Sequence, residues 1–129
     1  DIDFTHNLIT LKDFKNNTTY KTFLNSQLKE LLQNRVENIN INDKVLSTHP
    51  ARRIKKIIDD LFNQGIDIND RKNRVVFHTL RHTFASHLAI NGTPIFTIQK
   101  LMNHKDITMT MRYAKLAPDS GREAIENLF

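Results

Sequence analysis

Tyr113 follows His104 by nine residues, in the run His104-Lys-Asp-Ile-Thr-Met-Thr-Met-Arg112-Tyr113, and upstream stands His78-Thr-Leu-Arg81-His82-Thr-Phe-Ala-Ser-His87-Leu. A tyrosine hydroxyl can attack a phosphodiester when a cation withdraws charge from the phosphate and another group manages protons. One arginine with two histidines is the smallest set that supplies both. Phenols ordinarily ionise near about 10, so attack at neutral pH needs a proton acceptor. Arginine suits the phosphate because its planar fork offers two donors and keeps its charge. The chain has no cysteine, which excludes a thiol nucleophile, a disulfide and a cysteine metal site. His78, His82, His87 and His104 raise a metal site as an alternative, but no His-Glu-x-x-His pattern accompanies them, and no metal or other cofactor is expected.

These residues need elements to hold them. Residues 8–11 and 20–24 read as two short strands rich in β-branched and aromatic side chains, separated by a polar run. That is a β-hairpin, and the run Lys15-Asn16-Asn17 places Lys15 at its tip or shoulder, since Asn tolerates the left-handed backbone of tight loops. From Ser26 the spacing of Leu28, Leu31, Leu32 and Val36 predicts an amphipathic helix capped by Asn25 or Ser26. Pro50 opens a second helix, with Ile54, Ile57, Ile58 and Leu61 inward and Gly65 as its stop.

A short apolar run, residues 75–77, delivers His78 to a helix expected from about Leu80 to Ile90 and closed by Asn91-Gly92. Pro94 starts another helix through Met102, with Ile95, Ile98, Leu101 and Met102 as its buried face. Asp106 can cap a short helix carrying Tyr113, and Ser120 with Glu123 fits a capping box for a last helix bearing Ala124, Ile125, Leu128 and Phe129. The fold class read from this pattern is mainly α with a small antiparallel β-hairpin, an α+β arrangement.

At 129 residues the chain is expected to form one compact unit, and 39% hydrophobic with 26% charged residues is ordinary globular usage. No apolar run approaches the roughly 18 residues of a membrane span, and no export signal opens the chain, so a cytoplasmic protein without membrane partners is expected. The first residue is Asp1, and the expectation is an excised piece of a longer protein.

The net charge of +5 favours a polyanionic partner. The helix after Pro50 begins with Arg52, Arg53, Lys55 and Lys56 and carries Asp59 and Asp60 later, the reverse of what the helix dipole prefers. Such a start suits phosphate better than self-stabilisation, and Arg81, expected in the first turn of its own helix, repeats the pattern. A solvated charged face is the competing reading.

The ordered set His78-x-x-Arg81, His104 and Tyr113, with a lysine in an upstream hairpin, resembles the catalytic domain of the tyrosine recombinases, the phage integrase family. The resemblance runs along nearly the whole chain and is densest over residues 78–92 and 98–113. It implies that Tyr113 is the nucleophile, that Arg81 and His104 bind non-bridging oxygens of the scissile phosphate, and that His78 assists proton transfer. Lys15 falls at the position of the family's hairpin lysine and would protonate the departing 5′ oxygen. The product would be a 3′-phosphotyrosyl DNA intermediate, formed without ATP or metal and resealed onto another strand. Double-stranded DNA is the implied partner, with no small-molecule substrate, and Arg52, Arg53, Lys56, Lys105 and Arg112 are the candidate DNA contacts. His82 is read as structural or as supporting a neighbouring site residue, because adjacent helix positions face differently, and His87 as packing.

The family's first arginine lies just upstream of the stretch matching residues 1–3, so this piece alone would be very slow; losing one such group costs about 10²–10³ in rate. Asn103 stands where the family commonly has Gly before its histidine, and Asn is the best substitute at a left-handed position. Phe23 stands where proline is frequent. Residues 118–129 resemble the terminal segment that family members pack into a neighbouring subunit, giving a homo-tetramer on DNA, with docking onto its own subunit as the alternative. Residues 1–24, 25–117 and 118–129 would then be hairpin, helical core and docking helix. Two other functions compete: a DNA-binding or assembly module without catalysis, and a type IB topoisomerase-like relaxer that shares the chemistry.

Overall fold

A computed structural model describes the chain except residues 14–16, 41–42, 46–49, 120 and 129 and the side chain of residue 13. The expectations for Lys15, for Ser120 as a cap and for Phe129 lie outside the described residues. The chain divides into two compact units, residues 1–51 and 52–129.

The first unit holds a three-stranded antiparallel sheet in the order β1 (Ile2–Asp3), β2 (Leu8–Asp13), β3 (Thr18–Phe23). The hairpin is the predicted one, lengthened at its loop end and joined by the short β1. Its register pairs Leu8 with Phe23 and Leu11 with Tyr20. Asn7 and Asn17 both take positive φ, the left-handed backbone expected of asparagine in tight loops. Helix α1 (Ser26–Val36) starts where predicted, and of the two cap candidates it is Asn25 whose side chain accepts the Leu28 N–H at 2.8 Å. Its apolar stripe is only partly covered: Leu32 and Val36 are half-buried, whereas Leu28 and Leu31 are exposed.

The second unit carries the remaining helices. Helix α2 (Pro50–Phe62) buries Ile58 and half-buries Ile54, while Ile57 and Leu61, expected to face inward, are 55% and 68% exposed. Periodicity set the helix correctly but overstated the width of its covered stripe. The segment after α2 is tied back by a polar network. Buried Asn63 donates to Asp59 Oδ1 at 2.7 Å and to Val75 O at 2.8 Å, and accepts from Val75 N–H at 2.8 Å. Arg74 pairs with Asp59 at 2.5 Å and donates to Ile66 O at 3.2 Å. Hydrogen bonding from Lys55 and then Asn63, with the charges of Lys55 and Arg74, holds the Asp59 carboxyl below its ordinary value. This network fixes where the next helix begins.

That helix, α3 (Phe77–Ile90), starts earlier than predicted, with the Thr79 hydroxyl accepting the Val76 N–H at 3.0 Å. The expected first-turn position of Arg81 is therefore corrected: His78 lies in the first turn and Arg81 in the second. Helix α3 ends in a Schellman turn, in which Gly92 at φ 74° donates to Ala89 O and Thr93 to Leu88 O. Helix α4 (Ile95–Leu101) follows, then α5 (Thr108–Met111), a 3₁₀ turn (Ala114–Leu116) and α6 (Gly121–Glu126).

The core of this unit is Ala85, Ala89, Ile98, Met102 and Tyr113, with Leu88 and Ile95 packed against it. The predicted α4 face is thus the observed one, with Leu101 half-buried at its margin. Two small residues on α3 let α4 approach closely, which is why Ile98 reaches complete burial. No helix among the described residues is long and apolar enough to cross a membrane.

Candidate active site

His78, Arg81 and His82 share one stripe of α3 at i, i+3 and i+4, and the same stripe continues into the core as Ala85 and Ala89. The polar end of a core-facing stripe therefore opens a pocket of about 540 Å³ lined by His78, Arg81, His82, Asn103, His104, Lys105, Met109, Arg112 and Tyr113. Among the described residues no acidic side chain lines it. Four of the five expected catalytic residues and two of the five expected DNA contacts, Lys105 and Arg112, come together here. Arg52, Arg53 and Lys56 are exposed on α2 and do not line the pocket.

His104 is delivered by the end of α4. Asn103 sits at φ 50° and donates to Lys100 O, while the His104 N–H donates to Gln99 O at 3.1 Å, which closes a second Schellman turn. Asn103 occupies the position where such a turn ordinarily uses glycine, as its sequence position led one to expect. The side chain of Gln99 also donates to His104 O at 3.2 Å. His104 Nδ1 lies 2.9 Å from the hydroxyl of Thr110, which is fully buried and fixes the ring. Burial, followed by the neighbouring Arg81, Arg112, His78 and His82, pushes the His104 imidazole below its ordinary pKa. Arg81 is half-buried, and its guanidinium donates to Met102 O, bracing α3 against the end of α4.

Asp106 Oδ1 accepts the Thr108 N–H at 2.8 Å at the start of α5, but the helix is shorter than expected and ends at Met111, so it does not carry Tyr113. Tyr113 stands just past that helix, in the turn before the 3₁₀ segment, its N–H bonded to Thr110 O at 2.9 Å. The ring is only 4% exposed and belongs to the core, yet its hydroxyl lies 2.6 Å from His82 Nδ1. The expectation that His82 faces away from Arg81 is corrected, since both line the pocket, and of its two readings the contact with the phenol favours the supporting one. Burial, then His78, Arg112 and Arg81, lowers its pKa. His78 meets the His82 ring edge-on at 4.6 Å. His87, expected to pack, is exposed in the last turn of α3. Sequence reasoning missed Thr110 altogether, and nothing in its spacing singles it out.

The family model for the phage integrase family matches residues 1–119. The tyrosine recombinase XerA of Saccharolobus solfataricus is 31% identical over 122 residues, covering 95% of this chain and 40% of that protein. Among solved structures, the catalytic domain of bacteriophage HP1 integrase superposes with a TM-score of 0.67 at 24% identity, over 95% of this chain and 66% of that one. The Tn1549 transposon integrase in complex with circular intermediate DNA gives 0.65 at 21% identity, over all of this chain and 52% of that one. The chain belongs to the phage integrase family, the tyrosine recombinases, and its fold is that of their catalytic domains. It spans less than half the length of the XerA relative.

Proposed function

We propose that this chain is the DNA-cleaving portion of a site-specific recombinase in which Tyr113 attacks a phosphodiester to give a 3′-phosphotyrosyl intermediate, later resealed onto another strand. The observation that carries the reading is the convergence of the Tyr113 hydroxyl, Arg81, His104 and His78 on one pocket that no acidic side chain among the described residues lines. Arg81 and His104 bind the phosphate oxygens there, where Arg112 and Lys105 add positive charge, so that charge developing on the phosphate meets fixed donors. His78 positions the phosphate. Lys15 protonates the departing 5′ oxygen, a role that rests on its place in the sequence. The DNA-bound state of the Tn1549 integrase supports duplex DNA as the partner. The exposed apolar side chains Ile125 and Leu128 are consistent with residues 118–129 docking onto a neighbouring subunit in a homo-tetramer.

The test is a pool of nicked suicide duplexes with randomised core sequence, incubated with the full-length recombinase and resolved on a denaturing gel. An SDS-stable adduct that retains a 5′ label on the cleaved strand is expected, since the enzyme is joined to its 3′ end. An adduct retaining only a 3′ label overturns the assigned polarity, and no adduct overturns the reading.

Arg52, Arg53 and Lys56 open α2 without an acidic residue in the first turn, which supports DNA contact at that helix start. Replacing Arg52 and Arg53 with Gln is expected to weaken DNA binding uniformly across sequences. At about 0.9 per phosphate contact, the slope of log K against log salt should flatten by roughly 1.8. An unchanged slope removes both residues from the interface.

A further inference from the structure

The hydroxyl of Tyr113 lies 2.6 Å from His82 Nδ1, within the heavy-atom reach of about 2.6–3.2 Å that a proton acceptor requires. The ring planes are tilted at 49° with centroids 6.0 Å apart, so the contact between the two groups is the one from Nδ1 to the hydroxyl. The groups that act on this imidazole are His78 and Arg81 from its own helix, Arg112 from the turn after α5, and His104 from the turn after α4. Each of them is cationic or able to become so, and no carboxylate among the described residues lines the pocket. The environment therefore disfavours an imidazolium before the reaction and leaves the ring free to accept.

We propose that His82, rather than His78, takes the phenolic proton of Tyr113 during strand cleavage and returns it during resealing. The inference rests on Tyr113 being the nucleophile. As the Tyr113 Oη–P bond forms and the P–O5′ bond breaks, the phenolic proton passes to His82 Nδ1, and the departing O5′ takes its proton from a separate donor, the role given to Lys15. In resealing, a DNA hydroxyl attacks the phosphotyrosine and passes its proton to the donor left deprotonated by cleavage, while the P–Oη bond breaks and the released phenolate recovers its own proton from His82. Atoms and charge balance over the two steps without metal or cofactor.

Single-turnover cleavage by the full-length recombinase, measured against pH, tests this. His82→Ala is expected to slow adduct formation at neutral pH by about 10²–10⁴-fold. The deficit should shrink as the pH rises towards the ordinary ionisation of a phenol near about 10, and added imidazole should restore part of the rate. A His82→Asn variant keeps a polar atom near the Nδ1 position without its basicity, and carries the same expectation should the alanine form fail to fold. A deficit that neither pH nor imidazole relieves assigns His82 a packing role and overturns the proposal, as does a rate equal to wild type. Tyr113→Phe in parallel separates the two readings: an adduct that survives it overturns the nucleophile and this inference together. Loss of the adduct there, with His82 variants unaffected, overturns this inference alone.

Discussion

Tyr113→Phe should abolish the SDS-stable protein–DNA adduct while leaving the protein folded and able to hold DNA. The substitution removes one oxygen from a ring that is almost entirely buried among Ala85, Ala89, Ile98 and Met102, and the phenyl group keeps the ring volume that those neighbours pack against. What is lost is the hydrogen bond to His82, worth about 0.5–1.5 kcal/mol, and the oxygen proposed to form the covalent bond. Stability measured by thermal melting should therefore change little, whereas adduct formation should fall to background. An adduct of normal yield from the phenylalanine form would mean that another oxygen is the nucleophile.

Arg81→Ala is expected to reduce the single-turnover cleavage rate by about 10²–10³, the range found when one preorganised charge-stabilising donor is removed. The guanidinium is half-buried between α3 and the end of α4 and is braced by Met102 O, so its aim at the pocket is set before substrate arrives. Arg81→Lys restores the charge without the planar fork and should recover only part of the rate. Because Arg81 also braces two elements, the measurement pairs cleavage rate with DNA affinity and a thermal melt. An alanine form that melts normally and cleaves within tenfold of wild type would remove Arg81 from the phosphate site.

The order of elements was readable from the chain because its punctuation is chemical. Pro50, Pro94, Gly92 and Asp106 mark starts and stops through backbone constraints that act locally, and the structure honours each of them. Asn103 was legible for the same reason, since few residues other than glycine accept its left-handed backbone. What could not be read was decided by tertiary partners. The start of α3 moved because Asn63, Asp59 and Arg74 tie residues 63–75 into place, and a network spanning twelve to fifteen positions has no local signature. Ile57 and Leu61 follow helical spacing faithfully, yet spacing says only that a stripe exists and not how much of it is covered. The direction of His82 was misread because comparing it with its neighbour Arg81 ignored its i+4 relation to His78, the relation that decides which residues share a helix face. The grouping of His78, Arg81, His104 and Tyr113, by contrast, followed from the resemblance of their order and spacing to the tyrosine recombinases, and the fold places them around one pocket.

The stripe of α3 that runs from His78 to Ala89 joins reactive groups and packing residues on a single rigid rod. A bulkier side chain at position 85 or 89 would lever α4 outward, carrying the Asn103 turn and the imidazole behind it away from the phenol. Mechanical integrity and chemical alignment in this protein therefore share one degree of freedom, so selection on either is felt by both.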